Sequence, residues 1–209
     1  MRVLGIDEAG RGCVLGDLVV AGFVVDDPDD LSLRAAGAAD SKVLAPAKRA
    51  AARVTLTAFG RAEIRRVSAR QIDDGNLNAL EEDAIVELIS EARPDRVRVD
   101  ALGHPNALPG ITRRLLSRLP RGLRPELVIE PKADATYAEV GAASIFAKTL
   151  RDELLDEWRA EFGDFGSGYP SDPKTRDWLR QWSATGRDWP SFVRRRWSTV
   201  TDISQGALF

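Results

Sequence analysis

The sequence predicts an α/β fold: a mixed five-stranded sheet with helices on its faces and a small helical appendage at the C-terminal end. Three observations carry that reading. Short valine- and isoleucine-rich runs alternate with longer segments whose apolar residues recur at helical spacing. Their order, strand-strand-helix-strand-helix-strand-helix-strand-helix, implies a mixed sheet covered by helices. From Gly163 onward the character changes to a glycine-rich loop followed by short, tryptophan-rich helical pieces.

Val3-Leu4-Gly5-Ile6 reads as a short buried strand ending in two acids, Asp7 and Glu8. Beyond the loop Gly10-Arg11-Gly12, Leu18 to Val25 is a valine-rich second strand. The acidic run Asp26-Asp27-Pro28-Asp29-Asp30 reads as a solvated turn. Pro46 to Phe59 is alanine-rich and helix-like, and Glu63 to Val67 is a third strand. Between Asn78 and Ala92, Leu80, Ala84, Ile85, Leu88 and Ile89 recur at helical spacing, and Pro94 stops the helix. Val97 to Asp100 is a strand that again ends in an acid. A helix around Ile111 to Leu119 and the strand Leu127 to Glu130 follow. The long helix Ala138 to Phe162 presents Val140, Ala143, Ala147, Leu150 and Leu154 on one face.

Composition narrows the chemistry. The 209 residues, 44% hydrophobic and 30% charged, match an ordinary soluble domain. No apolar run approaches the roughly 20 residues that span a bilayer. Acids at positions 7 and 8 stand where a signal peptide needs an apolar stretch, so a cytoplasmic location is expected. The single cysteine, Cys13, excludes an internal disulfide and a CxxC motif, and the single histidine, His104, excludes a histidine-rich metal site. Any metal must therefore be held by oxygen, which favours magnesium or manganese over zinc. A net charge of −2 gives no overall basic footprint, so nucleic-acid binding would have to be local.

The acids fall in a pattern. Asp7 and Asp100 both end strands, and if those strands are parallel neighbours their ends lie about 5 Å apart. Ligands in open α/β sheets gather at the carboxyl ends of strands. Glu130 and Asp134 follow the next strand, so at least one of them can reach the same edge. Clustered carboxylates raise each other's pKa values unless a cation neutralises them. Two hard divalent ions would do so and would create a clamp for in-line attack on a phosphodiester. Acids at strand ends are also common by chance. The glycines at 10, 12 and 16 loosely match a dinucleotide loop, but a strand rather than a helix follows them. Their better use is close backbone approach to a ligand, with Arg11 available for a phosphate.

The segment Gly5-Ile6-Asp7-Glu8-Ala9-Gly10-Arg11-Gly12 resembles the opening motif of the ribonuclease HII (type 2 ribonuclease H) family. Asp40-Ser41-Lys42 resembles its second motif. Lys132 to Tyr137, with Ala142 to Lys148 and Arg151-Asp152, resembles its third, and Gly166 to Pro173 its fourth. These blocks run in order along nearly the whole chain, in a short, archaeal-like form. The resemblance implies a ribonuclease H-like catalytic domain over residues 1–162, a helical substrate-binding appendage over 163–200 and a flexible tail over 201–209. It implies endonucleolytic hydrolysis of RNA paired with DNA, and incision 5′ of ribonucleotides embedded in duplex DNA. The products carry 3′-hydroxyl and 5′-phosphate ends. Two Mg²⁺ or Mn²⁺ ions would sit at Asp7, Glu8, Asp100 and Asp134. Carried over by motif, the backbone of Gly10, Arg11 and Gly12 surrounds the 2′-hydroxyl that separates RNA from DNA. Tyr169 packs at the RNA–DNA junction, although a tyrosine in such a loop is otherwise more often a packed surface residue. Lys42, Ser144, Lys148 and Arg151 are expected phosphate contacts, each with a structural ion pair as its competing role.

Some residues sit apart from that pattern. Cys13 stands where a proline is expected and reads as a small buried packing residue. Asp17 adds a charge near the site. His104 is more simply loop structure than a proton-transfer group. The tryptophans at 158, 178, 182, 189 and 197 fit core packing better than base stacking. Gln205, Leu208 and Phe209 resemble the C-terminal half of a motif that docks on the sliding clamp, PCNA, and their apolar end suits a partner's pocket. A monomer is expected. Two other functions remain distinguishable: a clamp-docked binding adaptor, which would bind without metal-dependent turnover, and a junction resolvase, which would cut branched all-DNA substrates.

Overall fold

The computed structural model describes residues 1–38, 44–100 and 105–206. Its strands are β1 (Arg2–Ala9), β2 (Leu18–Asp26), β3 (Arg61–Val67), β4 (Arg96–Asp100) and β5 (Glu126–Glu130). They form one five-stranded sheet in the order β3-β2-β1-β4-β5. The first three pair antiparallel, whereas β1 with β4 and β4 with β5 are parallel, so the sheet is mixed as expected. The helices are α1 (Asp30–Ala35), α2 (Pro46–Leu56), α3 (Ala69–Asp74), α4 (Leu77–Ala92), α5 (Leu108–Arg118), α6 (Ala133–Thr136), α7 (Ala138–Phe162), α8 (Pro173–Ala184) and α9 (Ser198–Ser204). None of them is long and apolar enough to cross a membrane.

The period-two alternation of β1 sends its side chains to two different cores. Leu4 and Ile6 join Ile85 and Leu88 of α4 and Leu115 of α5 on one face. Val3 and Ala9 join Phe23, Ala142, Ile145 and Phe146 on the other, under α7. Gly5 is where α7 lies closest: a β-carbon there would sit 2.3 Å from the carbonyl carbon of Glu139. The third core belongs to the appendage. Val14, Leu155, Phe165, Trp178, Phe192 and Val200 pack together in it, with Trp158, Trp182, Trp189 and Trp197 against them. All five tryptophans are thus packing residues, and Trp158 stacks on Phe192 at a centroid distance of 4.9 Å. This core draws on Val14, Leu155 and Trp158, so the appendage is built onto the end of α7 and the first loop.

Three expectations need correction. The first strand does not end at Asp7. Its antiparallel ladder to β2 runs on through Asp7–Ala21, Glu8–Val20 and Ala9–Val19, while the parallel ladder to β4 stops at Ile6–Val99. The acidic run 26–30 is not wholly a turn: Asp26 closes β2, and Asp29 accepts from the Leu31 amide at 3.2 Å to cap α1. Residues 201–204 are not tail, because α9 continues to Ser204 and buries Ile203 in the third core.

Candidate active site

At Asp7, strand β1 still has β2 on one side but has lost β4 on the other, which opens a crevice at the carboxyl ends of β1 and β4. Asp100, the last residue of β4, reaches that crevice from the neighbouring strand. The third acid comes from the turn after β5. Lys132 adopts a left-handed backbone, φ 61°, which costs a non-glycine residue roughly 1 kcal/mol or more. The turn brings the Ala133 amide onto Asp100 Oδ1 at 3.0 Å and Asp134 beside it. Carboxylate oxygens of Asp7, Asp100 and Asp134 all lie within 4.8 Å of one another. Of the two acids that sequence left open, Asp134 joins the group, whereas Glu130 lies near the Tyr137 phenol and helps to raise its pKa. An all-oxygen set of this kind fits a hard divalent cation.

Burial is the main cause that pushes the Asp7 carboxyl above its usual range, and the nearby Asp100 adds to it. Lys148 Nζ, 3.9 Å from Asp7 Oδ2, and a hydrogen bond from Ser144 oppose the shift. Both come from α7, one turn apart, with Lys148 Nζ donating to Ser144 Oγ at 2.6 Å. The close approach of α7 at Gly5 is what carries these turns over Asp7.

Glu8 is not one of the three mutually close acids, although it lines the same cleft beside Asp7. Its carboxyl is pushed well above the ordinary range, first by burial and then by the charges of Asp7 and Glu81. Glu81, on α4, is itself buried and pairs with Arg11 Nε at 3.0 Å. Arg11 also donates to Asn78. Its guanidinium is therefore tied to α4, against the expectation that it is available for a phosphate.

Asp7, Glu8, Gly10, Arg11, Gly12, Asp100, Lys148, Arg151 and Tyr169 line one open cleft of about 340 Å³. Asp152, which belongs to the third motif but has no role assigned from sequence, lines it too, and so does Arg49, which sequence did not single out; the two pair with each other at 2.5 Å. An isolated arginine in an alanine-rich helix gave no signal. Tyr169 is 41% exposed at the rim, its ring 3.8 Å from where a β-carbon on Gly12 would lie. Arg151 passes over that ring at 5.3 Å and donates to Cys13 Sγ and the Ser167 carbonyl, both at 2.9 Å. Ser144 is fully buried, so it meets Asp7 and Lys148 rather than the cleft surface. Cys13 is buried as expected, and Asp17 spends its charge on Arg66 at 2.8 Å and on the Ala69 amide. Lys42, His104, Leu208 and Phe209 lie outside the described residues, while Gln205 is exposed at the end of α9.

The model of the family described as Ribonuclease HII matches residues 4–200. The chain belongs to the ribonuclease HII family. Ribonuclease HII of Archaeoglobus fulgidus is 41% identical over 208 residues, spanning 98% of this chain and 97% of that one. The crystal structure of ribonuclease H2 from Pyrococcus horikoshii superposes with a TM-score of 0.89 at 35% identity, covering 99% of both chains. The Archaeoglobus fulgidus enzyme in a PCNA:RNase HII complex superposes with a TM-score of 0.85 at 39% identity, over 99% of this chain and 98% of that one. The five-stranded ribonuclease H-like fold and the carboxylate crevice agree with this membership. The chain is accordingly a metal-dependent ribonuclease H hydrolase that acts on RNA in RNA–DNA hybrids.

Proposed function

We propose that the chain cleaves the RNA strand of hybrids and also incises duplex DNA 5′ of a single embedded ribonucleotide, using two Mg²⁺ or Mn²⁺ ions. The observation that carries this reading is a convergence. The three mutually close carboxylates open into the same cleft as the Gly10–Gly12 backbone and the exposed ring of Tyr169. When bound, such ions activate water and offset charge on the phosphate, so no protein nucleophile is needed. Asp7, Asp100 and Asp134 hold them, with Glu8 beside Asp7 as the fourth ligand. The charge of Lys148 offsets part of the rise that burial imposes on the Asp7 carboxyl. Gly10, Arg11 and Gly12 offer backbone groups to the 2′-hydroxyl, and Tyr169 packs at the junction. Lys148, with Lys42, contacts phosphate, whereas Ser144 and Arg151 act on Asp7 and on the loop.

A labelled duplex carrying one ribonucleotide, incubated with Mg²⁺, Mn²⁺ or EDTA beside an all-DNA duplex, tests the proposal. Metal-dependent incision 5′ of the ribonucleotide, giving a 3′-hydroxyl end with the control intact, is expected. Cutting of long hybrids alone would remove the junction role of Tyr169, and binding without any turnover would favour an adaptor.

We also infer that Gln205, Leu208 and Phe209 dock the chain on a sliding clamp. The exposure of Gln205 just past α9 supports this, as does the resemblance to a chain found in a PCNA complex. Removing residues 205–209 should abolish clamp binding in a calorimetric titration, and unchanged affinity would refute the tail's role.

A further inference from the structure

Among the described residues Arg194 is the largest fully buried side chain, and none of its hydrogen bonds there goes to a carboxylate. Its Nη2 donates to the Gly10 carbonyl at 2.6 Å, Nη1 to the Arg11 carbonyl at 3.0 Å and Nε to the Gly16 carbonyl at 2.9 Å. The guanidinium sits 5.2 Å over the Trp197 ring, and its own amide donates to the Val14 carbonyl at 3.0 Å. Burying a cation is expensive, and burial lowers its pKa to about 10, which still leaves it charged at neutral pH. What that cation does is grip both ends of the first loop from within the appendage.

The consequence follows from peptide geometry. There are no cis peptide bonds among the described residues. In a trans peptide the C=O and the next residue's N–H point in opposite directions. With the Gly10 carbonyl turned inward to Arg194, the Arg11 N–H must point away from it. With the Arg11 carbonyl turned inward, so must the Gly12 N–H. Neither N–H donates to an acceptor among the described residues, and both residues line the cleft. Nη2 and Nη1 reach two successive carbonyls as a rigid fork, a geometry that a lysine ammonium cannot reproduce.

We propose that Arg194 is a positioning residue for ribose recognition: by holding the Gly10 and Arg11 carbonyls inward, it aims the Arg11 and Gly12 N–H groups into the cleft as donors to the 2′-oxygen of the ribonucleotide. This rests on the ribose readout proposed above. The test compares wild type with Arg194→Lys. Affinity is measured in EDTA for a duplex with one ribonucleotide and for the matching all-DNA duplex, alongside Mn²⁺ affinity. The substitution should reduce the preference for the ribonucleotide by roughly 10-fold, the scale of two net hydrogen bonds. Affinity for the all-DNA duplex and for Mn²⁺ should stay within about twofold. A folded variant that keeps the wild-type preference would overturn the role of Arg194. Absence of any preference in wild type would instead overturn the ribose readout itself. Should the variant not fold, amide resonances decide on the unaltered protein. Arg11 and Gly12 should shift with the ribonucleotide duplex and not with the all-DNA duplex, and identical responses to both would refute the proposal.

Discussion

Asp7 is nearly buried, faces Asp100 and Asp134, and has Lys148, Ser144 and the Glu8 amide, which donates to its Oδ1 at 2.8 Å, to favour its charge. A carboxylate in that position is poorly solvated and serves a cation better than it serves the fold. Asp7→Asn should therefore lower kcat by about 10³-fold, the several kcal/mol that a divalent ion contributes, while duplex affinity in EDTA changes little. Glu8 gives a pH-dependent counterpart. Its folded pKa lies above the unfolded value, so the folded chain binds more protons across that window and stability falls as pH rises through it. Glu8→Gln should raise the melting temperature of metal-free protein at pH 7 by a few degrees, since about 1 kcal/mol shifts a chain of this size by roughly 2–4 °C. It should leave the melting temperature almost unchanged at pH 4. Asp7 and Asp100 were legible in the sequence because an acid directly after an apolar strand is a visible pattern. Residue pattern alone could not choose Asp134 over Glu130, because the choice lies in the left-handed turn at Lys132. Only the motif match made it in advance.

Among the elements, α7 does most to build the site, since Gly5 lets its backbone touch β1 and so brings Ser144 and Lys148 to Asp7. A methyl at Gly5 has no room against the Glu139 backbone. Gly5→Ala should destabilise the chain by about 1–3 kcal/mol, as overpacking does, and should cost activity out of proportion to the stability lost. Calorimetry on the variant with cleavage assayed well below its melting temperature separates the two effects. The longer helices were legible because hydrophobic period reports one buried face, and β1 and β2 because burial on both faces leaves a short continuous apolar run. The short helices α1 and α3 were not. Their beginnings rest on local polar caps, Asp29 for one and the Ser68–Gln71 capping box for the other, and six residues carry little periodicity.

Over the whole molecule, the appendage closes on the first loop through a core centred on Phe192, whose ring packs against Trp158, Phe162, Phe165 and Trp178. Phe192→Ala should cost about 3–5 kcal/mol, the usual range for emptying such a site. Gly16 donates to the Phe192 carbonyl at 2.7 Å, so the loss should also appear as weaker discrimination between ribonucleotide and all-DNA duplexes. Sequence alone gave no view of this coupling. The tryptophan-rich composition showed that an aromatic core would form, but not that Arg194 would reach residues 10, 11 and 16 across the fold. The central claim concerns the crevice where β1 and β4 part. Anomalous diffraction from a crystal soaked in Mn²⁺ tests it most directly. The account predicts a manganese peak within direct coordination distance of carboxylate oxygens of Asp7, Asp100 and Asp134. A peak elsewhere, with that crevice empty at Mn²⁺ concentrations that support cleavage, would contradict it.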